Sequence, residues 1–312
     1  MVNRQDVVDA KVRIGELVEQ TPLIESSING RKVWLKCESL QTGHAFKLRG
    51  ATNRLLQLTD AEREKGVVAF SSGNHAQGVA IAAKRLGVSA VIVMPADAPK
   101  VKVDATRSHG AEIIFYDRKT ESREEIAARL ADERGAVVVP SFDDPAIVAG
   151  QGTAGLDILD QMPVEPRRIV IPCGGGGLSS GIALACPDAE IVIVEPEGWD
   201  DMKRSLEGGA IVPVESDAPP TLCDALQTPR VSPITFGVLR DRNATALWVS
   251  DEEVKKAIRF AWREHGLTVE PGGAAALAAV LAKKVDIVDG TVVVLSGGNI
   301  DPELHARIVA ET

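Results

Sequence analysis

The lysine of the segment Phe46-Lys47-Leu48-Arg49-Gly50 is the residue of this chain best suited to covalent chemistry. It follows an apolar residue at the point where a polar loop, residues 41–44, gives way to a helical pattern. A lysine held there can lose much of its hydration, which lowers its pKa and frees the amine to attack a carbonyl group. The alternative is a solvated lysine that opens a helix, the ordinary case for an isolated Phe-Lys pair.

Four consecutive glycines, Gly174 to Gly177, stand between a predicted strand and a predicted helix. Successive glycines let backbone N–H groups point inward, and a helix amino end adds positive partial charge, so the pattern favours a phosphate site over a flexible turn. The segment lacks the Gly-Lys-Ser/Thr of a nucleotide P-loop, and no G-x-G-x-x-G pattern with a ribose-binding acid is present. A dinucleotide is therefore disfavoured.

Two further polar segments follow predicted strands. Ser71-Ser72-Gly73-Asn74-His75 runs from a loop into a helix amino end, which is a natural site for a carboxylate. Ser296-Gly297-Gly298-Asn299 also follows a strand, and taken alone it is equally compatible with a turn.

An acidic segment, Glu195-Pro196-Glu197-Gly198-Trp199-Asp200-Asp201, follows a third predicted strand. Two carboxylates and a backbone carbonyl can form a hard oxygen site for Mg²⁺ or Ca²⁺. The alternative is an acidic helix start, where aspartate is favoured by the helix dipole.

Strand and helix patterns alternate along most of the chain, which predicts parallel sheets covered by helices. Predicted strands include 33–37, 67–70, 90–94, 112–116, 136–139, 168–172, 190–195 and 291–295. Predicted helices include 50–58, begun near Lys47, and 74–86, 100–108, 121–133, 146–161, 179–185, 251–265 and 272–284. The proline-rich segment 213–233 is predicted to be irregular.

Ligands of open parallel sheets bind beyond the carboxyl ends of the strands, so the segments at Ser71, Cys173 and Ser296 are expected to meet in one cleft.

Bulk composition excludes several classes of protein. The formal charge of −9 argues against a nucleic-acid surface, and no apolar run approaches the ~20 residues needed to span a bilayer. The four cysteines have no paired spacing, which fits a reducing compartment. With no apolar signal core in residues 1–20, the expectation is a cytoplasmic protein.

From about Thr21 to Asp301 the four segments, in this order, resemble the pyridoxal-phosphate enzymes of the threonine dehydratase and serine racemase family. The resemblance implies an α/β fold of fold-type II, tryptophan synthase β-like, with two open, mostly parallel sheets flanked by helices. It implies a small domain, residues 57–144, inserted in a large cofactor-holding domain, residues 1–56 plus 145–312, and a homodimer. Because the chain ends at Thr312, no C-terminal regulatory domain is expected.

The resemblance also implies a role for individual residues. Lys47 bonds to the pyridoxal aldehyde as a Schiff base and then takes the substrate Cα proton, while Ser72 serves the opposite face in racemases. The cofactor-binding set is Phe46, Lys47, Asn74, Gly174, Gly175, Gly176, Gly177, Leu178, Glu270 and Ser296. The substrate-binding set is Ser71, Ser72, Asn74, His75 and Arg123, the last of which can equally be a solvated helix residue. Racemases bind Mg²⁺, Mn²⁺ or Ca²⁺ through the positions of Glu195, Asp201 and the Trp199 carbonyl.

The implied activity is deamination of L-threonine or L-serine to 2-oxobutanoate or pyruvate and ammonia, by β-elimination. A serine at position 296 can offer the pyridine nitrogen only a neutral hydrogen bond, which favours elimination over transamination. Serine racemase and 3-hydroxyaspartate dehydratase remain alternatives, because Ser72 follows the racemase pattern whereas residues 76–80 follow the dehydratase pattern. A non-catalytic amino-acid-binding module is the remaining alternative, and the presence of Lys47 argues against it.

Overall fold

The computed structural model describes residues 2–71, 73–98 and 100–311, and it contains two β-sheets flanked by helices. The strands are β1 Leu23–Ile28, β2 Arg31–Cys37, β3 Val67–Phe70, β4 Ala90–Pro95, β5 Glu112–Tyr116, β6 Val137–Val138, β7 Arg168–Pro172, β8 Glu190–Pro196, β9 Thr245–Val249 and β10 Thr291–Leu295. The helices are α1 Arg4–Ile14, α2 Lys47–Leu55, α3 Asp60–Lys65, α4 Asn74–Leu86, α5 Lys100–Ser108, α6 Arg123–Arg134, α7 Pro145–Gln161, α8 Gly177–Ala185, α9 Asp201–Gly208, α10 Pro233–Asp241, α11 Asp251–His265, α12 Pro271–Leu281 and α13 Pro302–Ala310. No helix in these described ranges combines the length and apolarity needed to cross a bilayer.

The larger sheet has six strands in the order β1-β2-β10-β7-β8-β9. All its strand pairs are parallel except β1 and β2, which form an antiparallel hairpin. Asn29 and Gly30 make the two-residue turn of that hairpin with φ values of 52° and 73°, as expected for Asn-Gly. The central strands read as continuous apolar runs because both faces of the sheet are covered by helices.

Helix α12 lies at the centre of this larger unit. Its residues from Pro271 to Val280 are all buried, and it contacts β10, β7 and β8 on one side and α11 on the other. Six of its first eight residues are alanine or glycine at buried positions that let the helix approach the sheet closely. Each larger apolar side chain buried here contributes roughly 1.5–3 kcal/mol.

The smaller sheet has four parallel strands in the order β5-β4-β3-β6. Its strands all lie between Val67 and Val138, whereas the strands of the larger sheet lie outside that range. Helix α4 joins the two units, because it packs on α2 as well as on β3 and β4. Gly78 permits this contact, since a Cβ there would lie 3.0 Å from the Lys47 carbonyl carbon.

The predicted α/β order of elements is confirmed along most of the chain. The predicted bounds of β3, α4, α5, β5, β7, α11 and β10 are those observed. Strands β1 and β9 and helices α3, α10 and α13 were not predicted. The two strands are edges of the sheet with two exposed residues each. Strand β1 shows no continuous apolar run, whereas β9 has one, residues 246–249, which was a usable signal that the prediction missed.

Candidate functional site

The predicted functional segments meet at one cavity of about 1130 Å³ between the two sheets. Predicted site residues on its wall are Phe46, Lys47, Ser71, Asn74, His75, Arg123, Gly174, Gly175, Gly176, Gly177, Leu178, Trp199, Glu270 and Ser296. Glu195 and Asp201 are not on this wall, and Ser72 lies outside the described residues. The convergence follows from topology, since strands β3, β7 and β10 all end at the cavity.

Five helices of the described ranges present their first residue to the cavity. These are α2, α4, α6, α8 and α10, which begin at Lys47, Asn74, Arg123, Gly177 and Pro233. The amino end of a helix carries unpaired N–H groups and a partial positive charge, so the cavity is built to attract anions.

Lys47 is the first residue of α2, and its ammonium group donates a hydrogen bond of 3.0 Å to the carbonyl of Ser141. The same nitrogen lies 5.0 Å from the centre of the Phe46 ring. Burial lowers the pKa of Lys47 to about 8, although the carboxyl of Glu270 opposes that shift. A substantial fraction of this amine is therefore neutral near pH 8, which a nucleophile or base requires.

The glycine segment turns from β7 into α8 under tight steric constraint. A Cβ at Gly175 would overlap the ring of Phe142, and a Cβ at Gly176, where φ is +84°, would lie 2.9 Å from Met202 Cε. Among the residues that the structure describes, no side chain caps the amino end of α8. Within the described part of the chain no backbone carbonyl accepts from the N–H groups of Gly175 or Gly176. These groups are free to bind an anion.

Three side chains far apart in sequence form a hydrogen-bonded chain beside Lys47. The Asn299 amide donates to Asn74 Oδ1 at 2.8 Å, and the Asn74 amide donates to Glu270 Oε1 at 2.5 Å. Burial and the charge of Asp224 raise the pKa of Glu270 to about 8. The glutamate is thus largely protonated at neutral pH, so that it can donate as well as accept a hydrogen bond.

The Ser296-to-Asn299 segment holds the loop that carries Lys47. The carbonyl of Ser296 accepts the N–H of Phe46 at 3.2 Å, and Asn299 also donates to the carbonyl of Gly43 at 2.9 Å. A Cβ at Gly297 would run into the carboxylate of Glu270. The side chain of Ser296 itself is buried and on the cavity wall.

The amino end of α4 supplies a second set of polar groups. Ser71 Oγ accepts the N–H of Gly73 at 3.2 Å, and no side chain of the described ranges caps the helix at Gly73. His75 is buried, and its Nε2 donates to the carbonyl of Val139 at 2.9 Å. Burial and the nearby Lys47 lower the pKa of His75 to about 3, so this imidazole is neutral.

Arg123 begins α6, and its guanidinium lies 5.4 Å from the centre of the Phe70 ring. Its Nε donates to Glu124 at 2.8 Å, and its terminal nitrogens have no hydrogen-bond partner among the described residues. Arg123 thus lies on the cavity wall, and its substrate-facing role stays a prediction.

The acidic segment lies behind the glycine segment. The two oxygens of Glu195 accept the N–H groups of Met202 and Lys203 at 2.9 and 2.8 Å, so this carboxylate caps α9. Asp201 is also buried, and its Oδ2 has no hydrogen-bond partner in the described residues. Burial raises the pKa of Asp201 to about 7 and that of Glu195 well above its usual range.

An ion at this segment would need ligands beyond side chains. Within residues 2–71, 73–98 and 100–311 no group of three or more His, Cys, Asp and Glu side chains could hold a metal. The Asp201 oxygen that has no partner among the described residues is a possible ligand, and further ligands would have to be Glu195, backbone carbonyls and water.

Sequence patterns did not identify several wall residues. They include the Ser141 carbonyl, Phe142, Lys102, Asp224 and Arg230. Ser141 and Phe142 follow β6, so their position beyond the end of a parallel strand was an available signal. Asp224 and Arg230 lie in the proline-rich segment, which has no periodic pattern from which to place a side chain.

Comparison with known proteins adds independent findings. The family model described as "Pyridoxal-phosphate dependent enzyme" matches residues 14–298. The chain is 42% identical, over 98% of its length and 95% of the relative's, to an L-threo-3-hydroxyaspartate ammonia-lyase of Saccharomyces cerevisiae. Its fold is similar to that of maize serine racemase, with a TM-score of 0.92 and 36% identity over 98% of this chain and 96% of the other. It is also similar to a T.th. threonine deaminase, with a TM-score of 0.88 and 42% identity over 95% and 98% of the two chains.

Proposed function

Because the chain belongs to the family of pyridoxal-phosphate dependent enzymes, with the fold-type II α/β architecture, we propose that it is an ammonia-lyase of small L-β-hydroxy amino acids. The observation that carries the proposal is the placement of the Lys47 amine, with its lowered pKa, in the same cavity as the glycine segment, whose Gly175 and Gly176 N–H groups have no backbone partner among the described residues. L-Threonine and L-serine are the substrates that the sequence motifs favour, and the products are 2-oxobutanoate or pyruvate and ammonia.

The residues present fit pyridoxal phosphate. The N–H groups of Gly174 to Gly177 and Leu178 match a phosphate, and the close approach of Phe142 leaves no room for a Cβ at Gly175. Phe46, Asn74, Glu270 and Ser296 supply an apolar face and hydrogen-bonding groups around the remaining space. When bound, the cofactor supplies an aldehyde that joins the substrate amino group and a ring that stabilises negative charge at Cα.

The protein's own part in the reaction is to bind the substrate and move one proton. We propose that the amino end of α4, with Ser71, Asn74 and His75, binds the substrate carboxylate. The neutral amine of Lys47 accepts the Cα proton. The bond from the β-carbon to its hydroxyl oxygen then breaks, and that oxygen leaves as water with the proton that Lys47 gives up again. Hydrolysis of the resulting enamine in water gives the 2-oxo acid and ammonia.

Two other activities are alternative proposals for the same site. Serine racemisation needs a proton donor on the face opposite Lys47, and the identity of Ser72 keeps that activity open. Deamination of 3-hydroxyaspartate is favoured by the 42% identity to a relative of that name and by the arginines on the cavity wall.

We also propose a divalent cation, Mg²⁺, Mn²⁺ or Ca²⁺, bound by Glu195, Asp201 and the carbonyl of Trp199. The unpartnered oxygen of Asp201 supports it. The ion would neutralise two buried carboxylates directly behind the glycine segment, where Met202 lies close to Gly176.

We propose that residues 57–144 form a small domain inserted in a large domain made of residues 1–56 and 145–312. This division is supported by the four-stranded sheet, whose strands all lie within residues 67–138. The protein is a homodimer in the cytoplasm. Sedimentation equilibrium at several concentrations measures its assembly, and fractionation of the source cells measures its location.

The decisive experiment follows 2-oxo acid and ammonia after adding L-threonine, L-serine and L-threo-3-hydroxyaspartate to the purified protein. Lys47→Ala should lose the visible absorption of the bound cofactor, the borohydride-reducible link to the chain and at least about 10³-fold of the turnover. Lys119→Ala, which changes an exposed lysine outside the cavity, should behave as the wild type. Full activity in Lys47→Ala would refute the mechanism.

A further inference from the structure

The amide of Asn74, on the cavity wall, is held by a residue that lies behind it. Asn299 Nδ2 donates to the carbonyl of Gly43 at 2.9 Å and to Asn74 Oδ1 at 2.8 Å. Asn74 Nδ2 in turn donates to Glu270 Oε1 at 2.5 Å. Asn74 and Glu270 are wall residues, whereas Asn299 is not on the wall in the described ranges. The three contacts form one path from the Gly43 carbonyl to the cavity.

The direction of each hydrogen bond follows from what its groups can do chemically. A backbone carbonyl can only accept, so the Asn299 atom that faces Gly43 must be the amide nitrogen. The same nitrogen faces one atom of the Asn74 amide, and that atom must then be the oxygen. The Asn74 nitrogen is consequently on the side of Glu270. A carbonyl that cannot reverse its polarity thus fixes the polarity of a side chain two contacts away.

The segment that ends at Asn299 is itself fixed by backbone hydrogen bonds. The N–H of Gly298 donates to the carbonyl of His44 at 2.8 Å, and the carbonyl of Gly297 accepts the N–H of Glu270 at 3.0 Å. The asparagine side chain therefore extends from a rigid base, so little further entropy is lost in keeping its amide on its two partners.

The polarity of the Asn74 amide matters for the cofactor that fits this cavity. Pyridoxal phosphate carries a ring oxygen beside its aldehyde, and this oxygen is ionised in the form that absorbs visible light. An ionised oxygen binds a donor and is repelled by a carbonyl oxygen. The last torsion of an asparagine side chain is roughly two-fold, so an unrestrained amide would present either atom. Asn74 has one amide hydrogen for Glu270 and a second for a ligand.

We propose that Asn299 is a positioning residue, which locks Asn74 so that its amide nitrogen, and not its oxygen, meets the ring oxygen of pyridoxal phosphate. The proposal rests on the cofactor-binding role proposed for Asn74, and it requires no particular substrate. Asn299 acts through Asn74 and takes no part in proton transfer.

The test measures the Kd of the full-length protein for pyridoxal phosphate and for 3-deoxypyridoxal phosphate, which lacks the ring oxygen. Equilibrium dialysis provides both values without any substrate. In Asn299→Asp the new carboxylate cannot donate to Gly43, and the Asn74 amide should turn to present its oxygen. Affinity for pyridoxal phosphate should fall about 10- to 100-fold, the range for a hydrogen bond to a charged group, whereas affinity for the deoxy compound should change less than about threefold.

Two further variants separate positioning from packing. Asn299→Ala leaves a larger gap than Asn299→Asp but supplies no new acceptor, so its affinity for pyridoxal phosphate should fall only about 3- to 10-fold. This fall should again spare the deoxy compound, which decides the matter if the aspartate variant does not fold. Asn243→Asp is a matched control, because Asn243 is an exposed asparagine off the described cavity wall, and it should bind both compounds as the wild type does. Equal losses for the two compounds in the Asn299 variants would overturn the proposal.

The absorption spectrum provides a second measurement. An acceptor facing the ring oxygen favours its protonated form, so the absorption of bound pyridoxal phosphate in Asn299→Asp should move from the visible to the near-ultraviolet range at a fixed pH. An unchanged spectrum would contradict the proposed turn of Asn74. Absence of lyase activity in a wild type that shows the binding contrast would refute the lyase function alone. Lyase activity in a protein whose Kd values do not respond to Asn299→Asp would refute only the positioning role.

Discussion

At the scale of single residues, burial sets the properties of the site. Lys47 and Glu270 lie in the same cavity, and burial moves their pKa values towards each other, to about 8 in each case. Loss of hydration disfavours the charged form of an amine and of a carboxyl alike. A basic amine and a proton-donating carboxylic acid can therefore coexist here near neutral pH.

His75 makes a testable contribution to acid sensitivity. Its pKa is lowered to about 3 in the folded state, against an ordinary value of 6.5. Above pH 6.5 the imidazole is neutral in both states, and its contribution to stability is fully present. As the pH falls from 6.5 towards 3 the unfolded chain binds a proton that the folded chain does not, so stability is lost.

We expect this histidine to account for about 2 kcal/mol of the stability lost between pH 7 and pH 5. Urea unfolding at both pH values measures it. His75→Gln keeps an amide donor for the Val139 carbonyl and should lose correspondingly less stability over that interval. Equal losses in the two proteins would show that the imidazole is accessible to protons.

Ser72 separates the two leading activities, although it lies outside the described residues. Racemisation needs an acid on the face opposite Lys47, whereas elimination from an L-substrate needs Lys47 alone. Ser72→Ala should therefore lower L-to-D conversion of serine at least about 10²-fold more than it lowers L-serine deamination. Enantiomer ratios and pyruvate formation, followed in the same reaction, provide both rates. Racemisation that survives would identify another residue as the acid.

At the scale of elements, the segment between β8 and α9 combines two roles. Glu195 caps α9 through two backbone hydrogen bonds, as an acidic helix start would, while Asp201 keeps a buried oxygen without a partner in the described residues. The helix-start alternative explains the first carboxylate and leaves the second unexplained. The proposed cation would give that second carboxylate a partner.

The proposal of a bound cation predicts a change in thermal stability when the ion is removed. Chelation should lower the melting temperature and Mg²⁺, Mn²⁺ or Ca²⁺ should restore it, because an ion bound only by the folded state stabilises that state by about 2.7 kcal/mol at a hundredfold excess over Kd. Asp201→Asn should lose the response. The neighbouring variant Asp200→Asn, which removes only the charge of the half-buried N-cap residue, should retain the response to metal ions. A wild type indifferent to chelator would leave Glu195 as a helix cap only.

At the scale of the whole molecule, a buried ionic network connects the elements that carry Lys47. Arg49 bonds to Glu38 at 2.8 and 2.9 Å, to Asp157 at 2.6 Å and to Thr153 at 3.1 Å. Lys11 and Lys36 also pair with Asp157. These side chains come from α1, β2, α2 and α7, so the network fixes the base of α2 two residues beyond Lys47.

Removing the centre of this network should destabilise the whole fold. Arg49→Met removes the guanidinium from two buried carboxylates, so that Glu38 loses its cationic partner and Asp157 keeps Lys11 and Lys36. We expect a loss of about 3–5 kcal/mol in the free energy of unfolding. Arg129→Met, at an exposed pair with Glu133, should cost less than about 1 kcal/mol. Chemical denaturation of both variants tests the contrast. Similar losses would mean that water reaches the network around Arg49.

The sequence by itself determined the α/β order of elements and the chemistry of the Lys47, Ser71, Gly174 and Ser296 segments. Both depend on neighbouring residues, since periodicity and strand-to-helix glycines are local patterns. Where the pattern was weak, as in the edge strand β1, an element was missed, and the apolar run of β9, residues 246–249, was overlooked. The Asn-Gly turn at Asn29 was a usable signal for the first of them.

Only the tertiary structure decided which side chains meet. The hydrogen bond from Asn299 to Asn74 joins residues 225 apart in sequence, and the network of Arg49 and Asp157 spans 108 positions. The location of Arg230 on the cavity wall depends on how Val231 packs beneath the six-stranded sheet. Such contacts arise from the packing of distant elements, and burial then sets their pKa values. No local pattern encodes either, because the same residues in a solvated segment would keep their ordinary charges and partners.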